Sequence, residues 1–123
     1  MKKEANFQTK FNHWLKNVWK KTGAFELKQC ESSLPFSSVV PHQIDALMAV
    51  RHSTFVYKII DAGYQNPFDC FCLTEQPAYV VISFKGKGFV LIAIDTFVLE
   101  SKRSKRRSLT WTRAVDIATI VVK

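Results

Sequence analysis

The chain has 123 residues, 47% of them apolar and 13% aromatic, with only four glycines and four prolines; this is the composition of one globular domain over residues 1–123 and excludes a disordered, fibrous or two-domain chain. Eighteen lysines and arginines against ten aspartates and glutamates leave a net charge of +8, which favours a polyanionic partner because cations that neutralise phosphates release counterions. No apolar run reaches the roughly 20 residues of a membrane helix and the N-terminus lacks a charged-then-apolar leader pattern, so the expected location is the cytoplasm, away from membranes.

Phe7, Phe11, Trp14, Leu15, Val18 and Trp19 fall on one stripe of a helix, predicted over Asn6–Lys21. Lys10, Lys16, Lys20 and Lys21 lie largely off that stripe, and a basic outer face can follow a phosphate backbone. Thr22 and Gly23 stop the helix, and Ala24–Cys30 predicts a short strand. Serines and Pro35 mark a loop from Glu31 to Val40. Pro41 then suits the first turn of a second helix, which carries Ile44, Leu47 and Met48 inward and ends near His52.

Four apolar or alternating runs follow, Phe55–Ile60, Phe68–Leu73, Ala78–Phe84 and Gly88–Ile94, separated by turn-prone residues. They predict an antiparallel meander. With the first strand they make a sheet of about five strands flanked by helices, so the fold class is α/β, or α+β by a stricter definition. Lys102, Arg103, Lys105, Arg106 and Arg107 form a dense basic run, a candidate phosphate contact. Beyond it, Leu109, Trp111, Ala114, Ile117 and Ala118 predict a terminal helix capped by Ser108 or Thr110. Cys30, Cys70 and Cys72 match neither a disulfide framework nor paired zinc ligands and are expected as reduced thiols.

In Phe25-Glu26-Leu27-Lys28 the carboxylate and the ammonium are two residues apart on a strand, so both point to one face with their Cα atoms about 6.5 Å apart. Phosphodiester hydrolysis needs a cation on a non-bridging oxygen, a positioned water and neutralisation of charge in the transition state. A glutamate that grips magnesium meets the first need, and a lysine helps with the others. As a bare triplet, E-x-K is equally a surface ion pair. No histidine spacing of a zinc deaminase or histidine-metal nuclease occurs, and no serine sits in a G-x-S-x-G elbow.

The E-x-K strand is followed by Leu34-Pro35-Phe36, then Val40-Pro41-His42-Gln43-Ile44, then Phe68-Asp69, and finally the basic run with Ser108. In this order the chain resembles the PD-(D/E)XK nuclease superfamily, and within it the Holliday-junction resolvases of phages and Gram-positive bacteria. The resemblance spans roughly Phe7 to Ile117. It implies a restriction-endonuclease-like fold with a central mixed sheet, Glu26 as a metal ligand, Lys28 as the catalytic lysine, and Gln43 holding water or phosphate in the site. It also implies magnesium, replaceable by manganese, and DNA as partner, with four-way junctions as the expected substrate. Two symmetric cuts call for a homodimer.

The family usually places an aspartate on a strand before the E-x-K, and the segment from Ala5 to Phe25 has no acidic residue. Asp69 is the preferred second carboxylate, because Asn66-Pro67-Phe68-Asp69 resembles the family's Pro-Asp turn. Asp61 and Glu4 remain alternatives. His42, beside Gln43 at a helix start, joins Lys20, Lys21 and the Lys102–Arg107 run as a candidate DNA contact. The alternatives to a resolvase are a nuclease on ordinary duplex or single-stranded DNA and a non-catalytic DNA-binding module with the same fold.

Overall fold

The structure, a computed structural model, describes residues 2–19, 23–52, 55–58, 70–73 and 76–123, with the backbone alone described at 2–6, 55–58 and 70–73. Helix α1 (Lys2–Trp14) runs directly into a π-helical turn, Leu15–Trp19. Strand β1 (Ala24–Cys30) and the short β2 (Ser33–Pro35) lead to α2 (Pro41–His52). Next come β3 (Phe55–Lys58), β4 (Cys70–Leu73), β5 (Ala78–Phe84) and β6 (Gly88–Ala93). Helix α3 (Ile94–Arg103), β7 (Ser108–Thr110), α4 (Trp111–Ile117) and β8 (Ile120–Val122) complete the chain.

The main sheet is mixed and has four strands in the order β1-β5-β6-β8, with β1 parallel to β5 and the other pairs antiparallel. A mixed sheet is what the resemblance implied; the corrections are that it has four strands rather than about five and that the four downstream runs do not form one antiparallel meander. Among the described residues, β3 and β4, from two of the predicted runs, pair with each other in a separate two-stranded sheet, and β2 pairs with β7 in another. The parallel step arises because β1 and β5 are far apart in sequence and joined through α2, whereas β5 and β6 meet across a tight turn. At its end Gly88 is required: its φ is +129°, and a Cβ there would collide with the Val122 carbonyl of β8.

Both faces of β5 and β6 are covered, which is why β5 is a near-continuous apolar run rather than an alternating one. Val81 and Leu91 pack with Phe7 and Phe11 of α1 on one face. Val80, Ile82, Val90 and Ile92 pack on the other with Leu47 of α2, Phe97 of α3 and Ala114 of α4. Phe11 is 1% exposed and lies 5.2 Å, ring centre to ring centre, from Phe25 and 5.9 Å from Phe89. Such offset and edge contacts dock α1 on the sheet.

Helix one therefore begins earlier than Asn6 and ends differently. Trp14 and Trp19, five residues apart, stack at 5.8 Å because the π turn closes i to i+5. The same change of phase turns Val18 out of the predicted stripe, to 67% exposure. The strand expected over Gly88–Ile94 stops at Ala93, and Ile94 starts α3, a helix that was not expected there. Consequently Lys102 and Arg103 are the end of a helix, and only residues 104–107 are irregular. The helix expected after the basic run is present as α4, with Thr110 as its cap accepting from the Arg113 amide, but Leu109 belongs to β7, Ala118 lies past the helix end, and β8 follows it. No described helix is long and apolar enough to cross a membrane.

Candidate active site

Strand β1 presents Phe25 and Leu27 to the α1 side of the sheet, while Ala24 and Cys30 join the opposite core. Alternation places Glu26 and Lys28 on that opposite face, which α2 also covers. Their register partners on β5 are Val80 and Ile82, both fully buried. The two side chains sit at the margin of the core and keep 29% and 22% of their surface, so they are partly shielded yet reachable.

Gln43 reaches this pair from the first turn of α2. Its Nε2 donates to Glu26 Oε1 at 2.8 Å, and its Oε1 accepts from the backbone N–H of Val40 at 3.1 Å. The second bond is the helix-side half of a capping box: the residue three positions into the helix satisfies the amide that precedes it. Val40-Pro41-His42-Gln43 thus does two things at once. It starts α2, with Pro41 in the position where a missing N–H costs nothing, and it leaves the Gln43 amide aimed at β1. Lys28 Nζ lies 3.5 Å from the same Oε1. Glu26 Oε1 is therefore held by an amide and an ammonium from two elements.

A magnesium ion is bound through hard oxygen ligands, carboxylates above all, with several waters retained. Glu26 fits that requirement as one ligand, because Gln43 donates to only one of its two carboxylate oxygens. Gln43 Oε1 does not fit it, being engaged by Val40. Among the described residues no group of three His, Cys, Asp or Glu side chains is placed to hold a metal. Asp69 and Asp61 lie outside the described residues, as do Lys20 and Lys21. Glu4 belongs to the first turn of α1 rather than to the segment before it.

His42 is exposed at the start of α2. Lys102, Arg103, Lys105, Arg106 and Arg107 are all exposed, around the bend that joins α3 to β7. Two residues of this region were not among the expected site residues. Glu100, 8% exposed, receives a two-point contact from Arg113, whose Nε lies 2.7 Å from Oε2 and whose Nη2 lies 3.0 Å from Oε1. The hydrogen bond from Arg113 holds the Glu100 carboxyl below the usual carboxylate range, against the opposing effect of burial. A trace of α3 is visible in the sequence: Asp95 in a first turn, Lys102 and Arg103 in a last one, and Ile94 and Phe97 three apart.

Cys30, on the same face as Glu26 and Lys28, is a free thiol pushed up to about 11 by burial. Comparison with protein-family models, with curated proteins and with solved structures finds no match for this chain.

Proposed function

We propose that this protein is a magnesium-dependent DNA endonuclease of the restriction-endonuclease-like fold, selective for branched DNA such as four-way junctions. The observation that carries the reading is the convergence of Gln43 and Lys28 on one oxygen of Glu26. An ordinary surface ion pair needs two side chains and no third element; here a helix start is built so that its amide fixes the carboxylate. Glu26 would hold magnesium together with Asp69, with manganese as a substitute, and the bound ion would supply Lewis-acid stabilisation at a non-bridging phosphate oxygen.

The chain's own residues have defined tasks. Gln43 restrains Glu26 to one rotamer. Lys28 brings a positive charge to the same face and offsets the negative charge that builds on the phosphoryl oxygens. The exposed Lys102–Arg107 run and His42 bind the DNA backbone, and two copies of the chain act as a homodimer in the cytoplasm of a bacterial or phage-infected cell.

Incubation with a labelled four-way junction and with matched linear duplex, each with magnesium, tests the reading. Selective, paired cuts in the junction are expected. Equal cleavage of both substrates would make the protein a general nuclease. Binding without cleavage in magnesium or manganese would leave a non-catalytic DNA-binding module, a reading favoured by the lack of an acidic residue between Ala5 and Phe25, where the family usually has its aspartate.

A further inference from the structure

A cavity of about 370 Å³ opens between the end of α3 and the start of α4, lined by Glu100, Arg103, Ser104, Arg106, Thr110 and Arg113. It shares no residue with the Glu26 site, and none of its six lining residues is apolar. That excludes the apolar lining with a few polar contacts that small organic ligands ordinarily require. The lining carries three guanidinium groups and one carboxylate, and a second carboxylate, Asp116, acts on Arg113 from outside the lining. Even with roughly half a negative charge from the C-terminal end of α3 set beside Glu100, the cavity stays positive.

The arginines are not equivalent. Arg113 is oriented by Glu100 through Nε and Nη2, and Nη1 is not part of that pair. Its guanidinium plane is thereby preset, and the side chain is exposed. Arg106 is placed by the turn in which its amide donates to Ser104 Oγ at 3.1 Å. Ser104 in turn closes α3 by donating its amide to the Glu100 carbonyl at 2.8 Å. Planar, forked donors of this kind match the oxygens of a phosphate group. The exposed Lys102, Lys105 and Arg107 flank the cavity in sequence and extend its positive charge beyond it. A long polyanion uses such an extension; an isolated phosphate does not.

We propose that this arginine-lined cavity is a docking site for a backbone phosphate of DNA, separate from the Glu26 and Lys28 site, with Arg103, Arg106 and Arg113 as its donors. The inference rests on the DNA-binding part of the proposed function and not on cleavage. Glu100 acts as a positioning residue for Arg113.

Binding of the full chain to labelled duplex and junction DNA is measured by fluorescence anisotropy in EDTA, so that no cutting occurs, from about 50 to about 300 mM KCl. Arg103→Ala/Arg106→Ala is expected to weaken binding about tenfold and to lower the steepness of the log affinity against log salt plot by about 0.9 for each phosphate that is no longer neutralised. Arg106→Lys keeps the charge and loses the fork, and a several-fold loss of affinity is expected. The charge-matched control Lys85→Ala/Lys87→Ala, on the β5–β6 turn, is expected to cost less than half as much. Wild-type affinity in Arg106→Lys, or equal losses in the control and the double variant, would overturn the site in favour of diffuse charge. Competition by inorganic phosphate at millimolar levels with unchanged DNA affinity in the double variant would assign the cavity to a small anion and overturn it as well. A protein that binds through the cavity and never cuts refutes the nuclease reading alone. One that cuts normally with the cavity arginines removed refutes this inference alone.

Discussion

Gln43 and Glu26 are 17 positions apart in sequence, yet the amide of one donates to the carboxylate of the other at 2.8 Å while also capping its own helix at Val40. A single side chain therefore couples the geometry of the candidate site to the start of α2. Gln43→Leu is expected to lose both bonds, at a cost of about 1–2 kcal/mol. Gln43→Glu keeps an acceptor for Val40 but sets a second carboxylate against Glu26. Both variants should lose cleavage, and only Gln43→Leu should lose the cap's stability. Denaturant titration beside junction cleavage reads the two effects separately, and normal cleavage in Gln43→Glu would remove Gln43 from the site.

Glu26 and Lys28 are expected to matter for chemistry far more than for folding. Their ion pair is partly exposed and contributes under about 1 kcal/mol, so Glu26→Gln and Lys28→Met should each melt within about 4 °C of the wild type. Magnesium-dependent cleavage should fall about a hundredfold or more in each, with junction binding in EDTA retained. Full activity in either variant would dismiss E-x-K as the catalytic pair.

The Glu100–Arg113 pair makes a prediction about acid. Because the folded-state pKa of Glu100 is depressed, the unfolded chain takes up the proton first as pH falls. The pair's contribution is complete above the ordinary carboxylate value of 4.5 and is lost as pH drops from there through the lower folded value. Melting temperatures of wild type and Glu100→Gln, measured from neutral pH to about pH 3, should converge at the acid end. A constant gap between the two curves would show that the pair does not titrate in this way.

Cys30 offers a test of the face that carries Glu26. Its shift from 9.0 to about 11 leaves about a hundredfold less thiolate than an ordinary thiol at pH 8. Alkylation of the Cys30 peptide, followed by mass spectrometry, should be slowed by about that factor in the folded protein relative to denaturant. Comparable rates in the two states would place Cys30 outside the core.

Removing the ring at the centre of the α1 contact should be costly. Phe11→Ala is expected to lose about 3–5 kcal/mol, since the ring is buried against Phe7, Trp14, Phe25 and Phe89. Fluorescence of Trp14 and Trp19, which belong to the same cluster, should redden as α1 comes free. An unshifted spectrum with full stability would contradict the docking of α1 through these rings.

Local patterns in the sequence were enough for β1, α2, β5, the body of β6 and the cap at Thr110, because strand alternation, proline position and hydroxyl capping act within a few residues. They were also enough to put Glu26 and Lys28 on one face. Three things were decided only by tertiary structure. The parallel pairing of β1 with β5 depends on two segments about fifty residues apart, which no local period reports. Helix α3 was hidden because Ile94 continues the apolar run of β6, so periodicity alone could not place the boundary between them. Gln43 came to Glu26, and Arg113 to Glu100, by contacts whose energy is realised only when separate elements have packed; the sequence contains the donors and acceptors, and the fold selects which of them meet.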